Sequence, residues 1–240
     1  QVELGGQAET LGITTAAGTF DDADAGAHKD VAVKYTLTNG SGATGGLASN
    51  YTLADGSLKG TITPRALTVA LQGTTANPLT KVYDGNTTLA LGSGNFALSG
   101  FVGEQGVGAL LNGVTSGSFN DAKVLLANTV SANVSEGTLA LAQGVKASNY
   151  SLPIAPVTAA GTISAKAVQV TGLTAQNKEY DRLLTATVMG TAMVDTAGVV
   201  GTDAVSVEGT VTGGLFATKD VGTQKAVAIS GLMLTGARSE

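Results

Sequence analysis

Three blocks of this chain recur at a spacing near one hundred residues, and that spacing restricts the fold more than any other feature. Phe20-Asp21-Asp22-Ala23-Asp24-Ala25-Gly26 leads to Lys29, Val31 and Val33, and Phe216-Ala217-Thr218-Lys219-Asp220-Val221-Gly222 leads to Lys225, Val227 and Ile229. A looser copy, Ser118-Phe119-Asn120-Asp121, precedes Val130 and Val134. Ala48-Ser49-Asn50-Tyr51 recurs as Ala147-Ser148-Asn149-Tyr150, and each is followed by Gly-Thr-Ile, at Gly60-Thr61-Ile62 and Gly161-Thr162-Ile163. Lys81-Val82-Tyr83-Asp84 recurs as Lys178-Glu179-Tyr180-Asp181. A unit of about one hundred residues is long enough to bury its own core, unlike a solenoid repeat of about 20 to 50 residues. The chain therefore reads as similar modules in tandem.

Within a unit the order is the Tyr-Asp block, the Phe block, the Asn-Tyr block and Gly-Thr-Ile. Residues 1–63 read as the C-terminal part of one module, 64–164 as a complete module, and 165–240 as the N-terminal part of a third. The chain closes at Ala237-Arg238-Ser239-Glu240, where the next Asn-Tyr block is due, so it is expected to be a piece of a longer protein.

Residue types point to strands. Thr, Val and Gly abound, while helix formers such as Glu, Lys, Gln and Arg are scarce. Period-two alternation runs through Val31, Val33, Tyr35 and Leu37, through Leu67, Val69 and Leu71, and through Val130, Ala132 and Val134. Leu139 with Leu141, Val168 with Val170, Val205 with Val207, and Val227 with Ile229 continue the pattern. Asn39-Gly40, Asp55-Gly56, Asp84-Gly85, Asn112-Gly113 and Glu136-Gly137 are expected to be tight turns. The expected fold is all-β: tandem Ig-like antiparallel β-sandwich modules of about one hundred residues, with a parallel β-helix as the alternative. The joins at Ile62-Thr63-Pro64-Arg65 and Ile163-Ser164-Ala165-Lys166 leave little linker, so the array is expected to be rod-like.

Composition closes several classes. Net charge is −5 without a Lys/Arg cluster, which argues against a nucleic-acid partner. No apolar run reaches about 18 residues, so no membrane insertion of this segment is expected. With no Cys there is neither a disulfide framework nor a Cys metal site.

Candidate chemistry is sparse. His28 is the single His, in the polar run Ala27-His28-Lys29-Asp30, and reads as a solvated loop residue. Asp21, Asp22 and Asp24, with Asp30 nearby, are the candidate calcium ligands, since neighbouring loop carboxylates can supply oxygens. The competing reading makes Asp24-x-Gly26 and Asp220-x-Gly222 turns. Beyond this calcium candidate no cofactor is expected, and a lone His without further ligands argues against zinc. Tyr83, Asp84, Tyr180 and Asp181 read as tyrosines capping loops with aspartates that start turns, and Asn50-Tyr51 and Asn149-Tyr150 likewise. Gly92-Ser93-Gly94 reads as a loop and not a nucleophile elbow. Asn50, Asn86, Asn133 and Asn149 open Asn-x-Ser/Thr sequons. No catalytic residue is assigned, and the chain is not expected to be an enzyme.

Tyr83-Asp84-Gly85, with Lys81 before it, resembles the tripeptide that gives the YDG repeats their name. The Gly60-to-Val69 run, Gly-Thr-Ile-Thr-Pro-Arg-Ala-Leu-Thr-Val, is similar to module joins in YDG and related MBG repeats. In the third unit Arg182 stands where Gly85 does, which argues against a positive-φ requirement there. The resemblance implies a filamentous-haemagglutinin-like large exoprotein of Gram-negative bacteria: an adhesin or fibre, secreted or at the bacterial cell surface. With the short joins between modules, the expected role is a rod-like stalk or spacer that serves adhesion or a biofilm matrix, with copies of itself or host or bacterial surface components as partners. Direct binding of a host glycoprotein or polysaccharide is the alternative. Some adhesins of this group are glycosylated at such sequons.

Overall fold

The computed structural model describes residues 2–4 and 7–236. The closing Ala237–Glu240 segment lies outside the described residues. The fold is all-β, of the β-sandwich type, with several small antiparallel sheets. Among the described residues there is no α-helix, only single 3-10 turns such as Ala48–Asn50 and Ala147–Asn149, and no helix long and apolar enough to cross a membrane.

The sheets repeat as the sequence does. In the first repeat Gly26–Thr38 lies between Gly12–Phe20 and Gly56–Ile62. In the second, Thr129–Ala132 lies between Ser116–Phe119 and Val157–Ala160, and Thr88–Ala90 flanks Ser116–Phe119. In the third, Val205–Phe216 lies between Thr185–Ala186 and Val227–Gly236. The Phe strand therefore pairs with the strand after the Phe block each time. Phe20 faces Val31 and Phe216 faces Val227 in the two outer copies. A second antiparallel pair, Thr68–Leu71 with Phe96–Ser99, sets Val69 opposite Leu98 and Leu71 opposite Phe96. Val170–Ala175 pairs with Val188–Val194 in the same way.

The alternation read from sequence is the alternation of burial. Val33, Leu67, Val69, Leu71, Val130 and Ala132 are buried, and Thr68 and Ala70 between them are exposed. The buried apolar residues run from Leu67 to Ile163, with Val33 the one contribution from the first repeat among the described residues. Val170, in the third repeat's Val168/Val170 pair, is 39% exposed. Leu111 and Val130 are fully enclosed, and so is one polar residue, Asn95.

Two short pairs are parallel, which alternation cannot foretell. Tyr150–Ser151 runs parallel to Arg65–Ala66, and Thr162–Ser164 runs parallel to Thr80–Val82. Parallel strands need a long crossover, and here most of a repeat supplies it. The turn expectations also need correction. Gly85 (φ +82°) and Gly113 (φ +85°) adopt the left-handed region, whereas Gly40, Gly56 and Gly137 do not. Gly56 opens a strand. Gly40 is required for a different reason: a methyl group there would lie 1.7 Å from the Thr10 carbonyl oxygen.

The described chain divides into two compact units. One gathers Gln1–Leu79, Leu89–Ser118 and Val130–Ala160; the other gathers Thr80–Thr88, Phe119–Thr129 and Gly161–Glu240.

Candidate functional site

The Phe-block loop follows a strand whose third residue from the end is glycine in all three repeats: Gly18, Gly117 and Gly214 stand two before Phe20, Phe119 and Phe216. A methyl group at Gly18 would lie 2.9 Å from Val31 Cγ1, at Gly117 2.9 Å from the Ser131 carbonyl oxygen, and at Gly214 2.7 Å from Val188 Cγ2. These glycines were missed in the sequence, although Gly-x-Phe stands in every copy.

After the Phe strand, the outer repeats close their loop with a lysine nine positions on. Lys29 Nζ bonds Asp22 and lies 3.5 Å from Asp21; Lys225 Nζ donates to the Thr218 hydroxyl at 2.8 Å and to the Asp220 carbonyl. The residue before each lysine is left-handed, His28 at φ +55° and Gln224 at φ +51°. At His28 the strand register shifts between Gly26 and Lys29, so the residue forms a bulge and stays exposed. The middle repeat substitutes Asn120, whose Oδ1 accepts the N–H groups of Asn128 and Thr129 at 3.0 and 2.9 Å.

The three candidate calcium ligands are thus turned toward cations of the chain itself. Asp22 faces Lys29, and that hydrogen bond holds its carboxyl below the usual carboxylate range and raises Lys29. Asp24 faces Asn149 and Lys146; the Asn149 bond, then the Lys146 bond, lower its carboxyl, and Asp24 raises Lys146. Among the described residues no group of three or more His, Cys, Asp or Glu side chains is placed to hold a metal ion.

The Asn-Tyr block does different work in its two copies. Asn149 is half-buried: its Oδ1 accepts the Ala25 N–H at 2.7 Å and its Nδ2 donates to Asp24 Oδ1 at 2.8 Å. Tyr150 is buried, bonds Gln105 through its hydroxyl, accepts the Val102 N–H at 3.2 Å, and meets Phe101 edge-on with centroids 5.0 Å apart. Both behave as loop caps. Asn50 is exposed, while the Tyr51 hydroxyl donates to Glu9 Oε2 at 2.6 Å, a bond that raises the Tyr51 pKa.

The Lys-x-Tyr-Asp block is a wrapped turn. Asp84 Oδ1 accepts the Asn86 N–H at 3.1 Å, and Asp181 Oδ1 accepts the Leu183 N–H at 2.9 Å. The lysine three residues earlier binds each aspartate: Lys81 at 2.5 Å, Lys178 at 2.8 Å. These lysine bonds are the main reason both carboxyls titrate below the usual range. Lys81 is sunk into the turn and donates also to the Asn86 and Thr88 carbonyls at 3.1 and 2.9 Å. Arg182 adopts φ +67° where Gly85 has +82°, so the left-handed conformation is kept despite the side chain, contrary to the expectation from sequence. The tyrosines differ. The Tyr83 hydroxyl bonds Asp203, which raises its pKa, whereas Tyr180 is 59% exposed.

Among the sequon asparagines, Asn50, Asn86 and Asn133 are exposed. Asn86 is engaged by Lys81 and by the Thr88 N–H, and Asn149 is bonded on both sides of its amide. Gly92-Ser93-Gly94 begins a 3-10 turn, not an open loop, because Asn95 sits enclosed beneath it. Asn95 Oδ1 accepts the Gly92 N–H at 2.9 Å and its Nδ2 donates to the Gln72 and Asn77 carbonyls at 2.8 and 2.7 Å. This residue has no counterpart in the other copies, so the repeat could not reveal it.

The side chains of these blocks hold loops and strands to one another. A family model described as YDG domain matches residues 1–58, 63–159 and 164–240. No curated protein and no solved structure matches the chain.

Proposed function

Because the chain belongs to the YDG domain family, we propose that it is a non-catalytic spacer within an extracellular surface protein of the filamentous-haemagglutinin-like adhesin kind. It carries a binding region away from the cell or associates with copies of itself or with surface components in a matrix. The observation that carries this reading is the join between repeats. Strand Gly56–Ile62 ends two residues before Arg65–Ala66 begins, and one of those two residues is Pro64. Such a join restricts bending. The bond from Asn149 to the Asp24 loop supports it, since it ties the second repeat's Asn-Tyr block to the first repeat's Phe block. The absence of a Lys/Arg cluster in a chain of net charge −5 suits exposure to solvent.

Small-angle scattering on the chain tests this. A single globule of this length has a radius of gyration of about 18 Å. A spacer gives a value well above that, and a value near the globule's overturns the proposal. Surface display then decides location: protease added to intact producing cells removes the chain if it is extracellular and leaves it intact if it is not.

A further inference from the structure

Four Asn-Gly and Asp-Gly pairs stand in the chain: Asn39-Gly40, Asn112-Gly113, Asp55-Gly56 and Asp84-Gly85. Each sets a side-chain carbonyl carbon one five-membered ring away from a main-chain nitrogen that no β-carbon shields. Ring closure then depends on whether the fold leaves the two groups free to meet.

Three of the pairs are held. Asn39 Oδ1 accepts the Ala48 N–H at 2.8 Å, and the Gly40 N–H donates to the Gly46 carbonyl at 2.9 Å. Gly40 is also wedged against the Thr10 carbonyl. Gly56 opens a strand and faces Val33 in the ladder. The Asp84 carboxylate is bound by Lys81 and by the Asn86 N–H, and an ionised carboxylate is a poor electrophile.

Asn112-Gly113 differs. It follows the short strand Leu110–Leu111 directly, and both of its residues are exposed. The main chain is anchored there, since the Asn112 N–H donates to the Thr138 carbonyl at 2.7 Å. Among the described residues, nothing bonds the Asn112 carboxamide or the Gly113 N–H. Gly113 has φ +85°, and apart from its chain neighbours no atom lies within 4 Å of the place a β-carbon would take. An unengaged electrophile therefore adjoins an unengaged nucleophile.

We propose that Asn112 is a site of spontaneous covalent modification, converting through a succinimide to isoaspartate and aspartate while Asn39 is preserved. The Gly113 nitrogen attacks Asn112 Cγ and the new C–N bond closes the ring. That nitrogen's proton passes to solvent base, and the side-chain nitrogen leaves as ammonia. Water then opens the ring. Cleavage at Cγ restores the original main chain with aspartate; cleavage at the main-chain carbonyl carbon leaves the chain routed through Cγ, which is isoaspartate. The sum is asparagine plus water giving the acid plus ammonia, with nothing oxidised or reduced. The product carries a new negative charge. In isoaspartate it also carries an extra backbone carbon between Leu111 and Val114, which are 1% and 8% exposed. Lengthening the chain between two enclosed side chains displaces one of them from close packing. The proposal does not depend on the spacer reading.

The test is ageing of the folded chain in mildly alkaline buffer, with a parallel sample in urea, followed by peptide mapping with fragmentation that separates isoaspartate from aspartate. In urea Asn39 and Asn112 convert alike. In the folded chain Asn112 is expected to convert at least about tenfold faster than Asn39, which must first open locally. Isoaspartate is the larger product, and the rate rises with pH. Asn112→Gln, whose ring would need six members, abolishes the conversion. Asn112→Asp carries the charge without the rerouted backbone, and the aged chain is expected to melt below it. Three results overturn the proposal: equal conversion of the two asparagines in the folded chain, an Asn112 that stays intact while its urea counterpart converts, or aspartate formed with no isoaspartate.

Discussion

Asn149 holds Asp24 across 125 positions of sequence, through a 2.8 Å bond from its Nδ2 to the carboxylate, while its Oδ1 takes the N–H of the next residue, Ala25. One carboxamide thus satisfies a loop carboxylate and a loop amide together, using both faces of its hydrogen-bonding inventory. The same residue type at Asn50 is exposed and has no such partner among the described residues.

Asn149→Ala is therefore expected to lower stability by about 1–3 kcal/mol, because it deletes two hydrogen bonds, one of them to a charged group. Asn50→Ala is expected to stay within about 0.5 kcal/mol. Denaturant unfolding of the two variants side by side measures the difference; equal effects refute the assignment.

Gly117→Ala is expected to cost about 1–3 kcal/mol by overpacking, since the added carbon meets the Ser131 carbonyl oxygen and Leu91 Cδ1, both at 2.9 Å. Gly137→Ala is the control: nothing lies within 4 Å of the added carbon. It is expected to be neutral or to gain up to about 1 kcal/mol through the unfolded chain. Thermal unfolding of both variants checks the pair.

The left-handed turn after Tyr-Asp gives opposite signs in its two copies. Gly85→Ala is expected to destabilise by about 1–2 kcal/mol, because φ is +82° and the added carbon also comes 3.0 Å from Val200 Cγ1. Arg182→Gly relieves the same strain at φ +67° and is expected to gain at most about 1 kcal/mol after the entropy of glycine is subtracted. A loss of stability in the second variant shows that Arg182 does more than occupy the turn.

Asp22, Asp24, Asp84 and Asp181 all titrate below the usual carboxylate range in the folded chain, chiefly through lysine bonds and, for Asp24, the Asn149 bond. A depressed folded pKa stabilises above the ordinary carboxylate value and is lost as pH falls through the folded value. Stability is expected to be flat from about pH 7 to 5 and to drop below about pH 4. Asp24→Asn reduces the drop. Denaturation midpoints across this range measure it, and a profile flat down to pH 2 contradicts it.

What could be read beforehand follows from which forces are local. Alternation at Val31–Leu37 and Leu67–Leu71 reports a side chain's own burial, so those strands were legible. The Asp turn at Asp84 and Asp181 was legible because an aspartate bonding the N–H two residues on is a local event. Partners distant in sequence were not. Nothing near Asp24 foretells Lys146 and Asn149, so the sequence left the Asp21–Asp24 cluster open between a turn and a set of metal ligands. Dipeptide rules also failed at Gly40, where close backbone approach, and not torsion, demands glycine. Arg182 shows the converse: a turn held by Lys178 and Asp181 imposes a left-handed torsion on a residue that does not favour it.

The parallel pairing of Thr162–Ser164 with Thr80–Val82 has a mechanical consequence. Thr80–Val82 lies early in the middle repeat and Thr162–Ser164 at its end, so tension applied along the polypeptide draws the two strands in opposite directions. The bond from Tyr83 N–H to the Ser164 carbonyl and its neighbours are then loaded sideways as a group. Such a clasp yields in one step and not bond by bond, which places the force threshold of the repeat on three residue pairs.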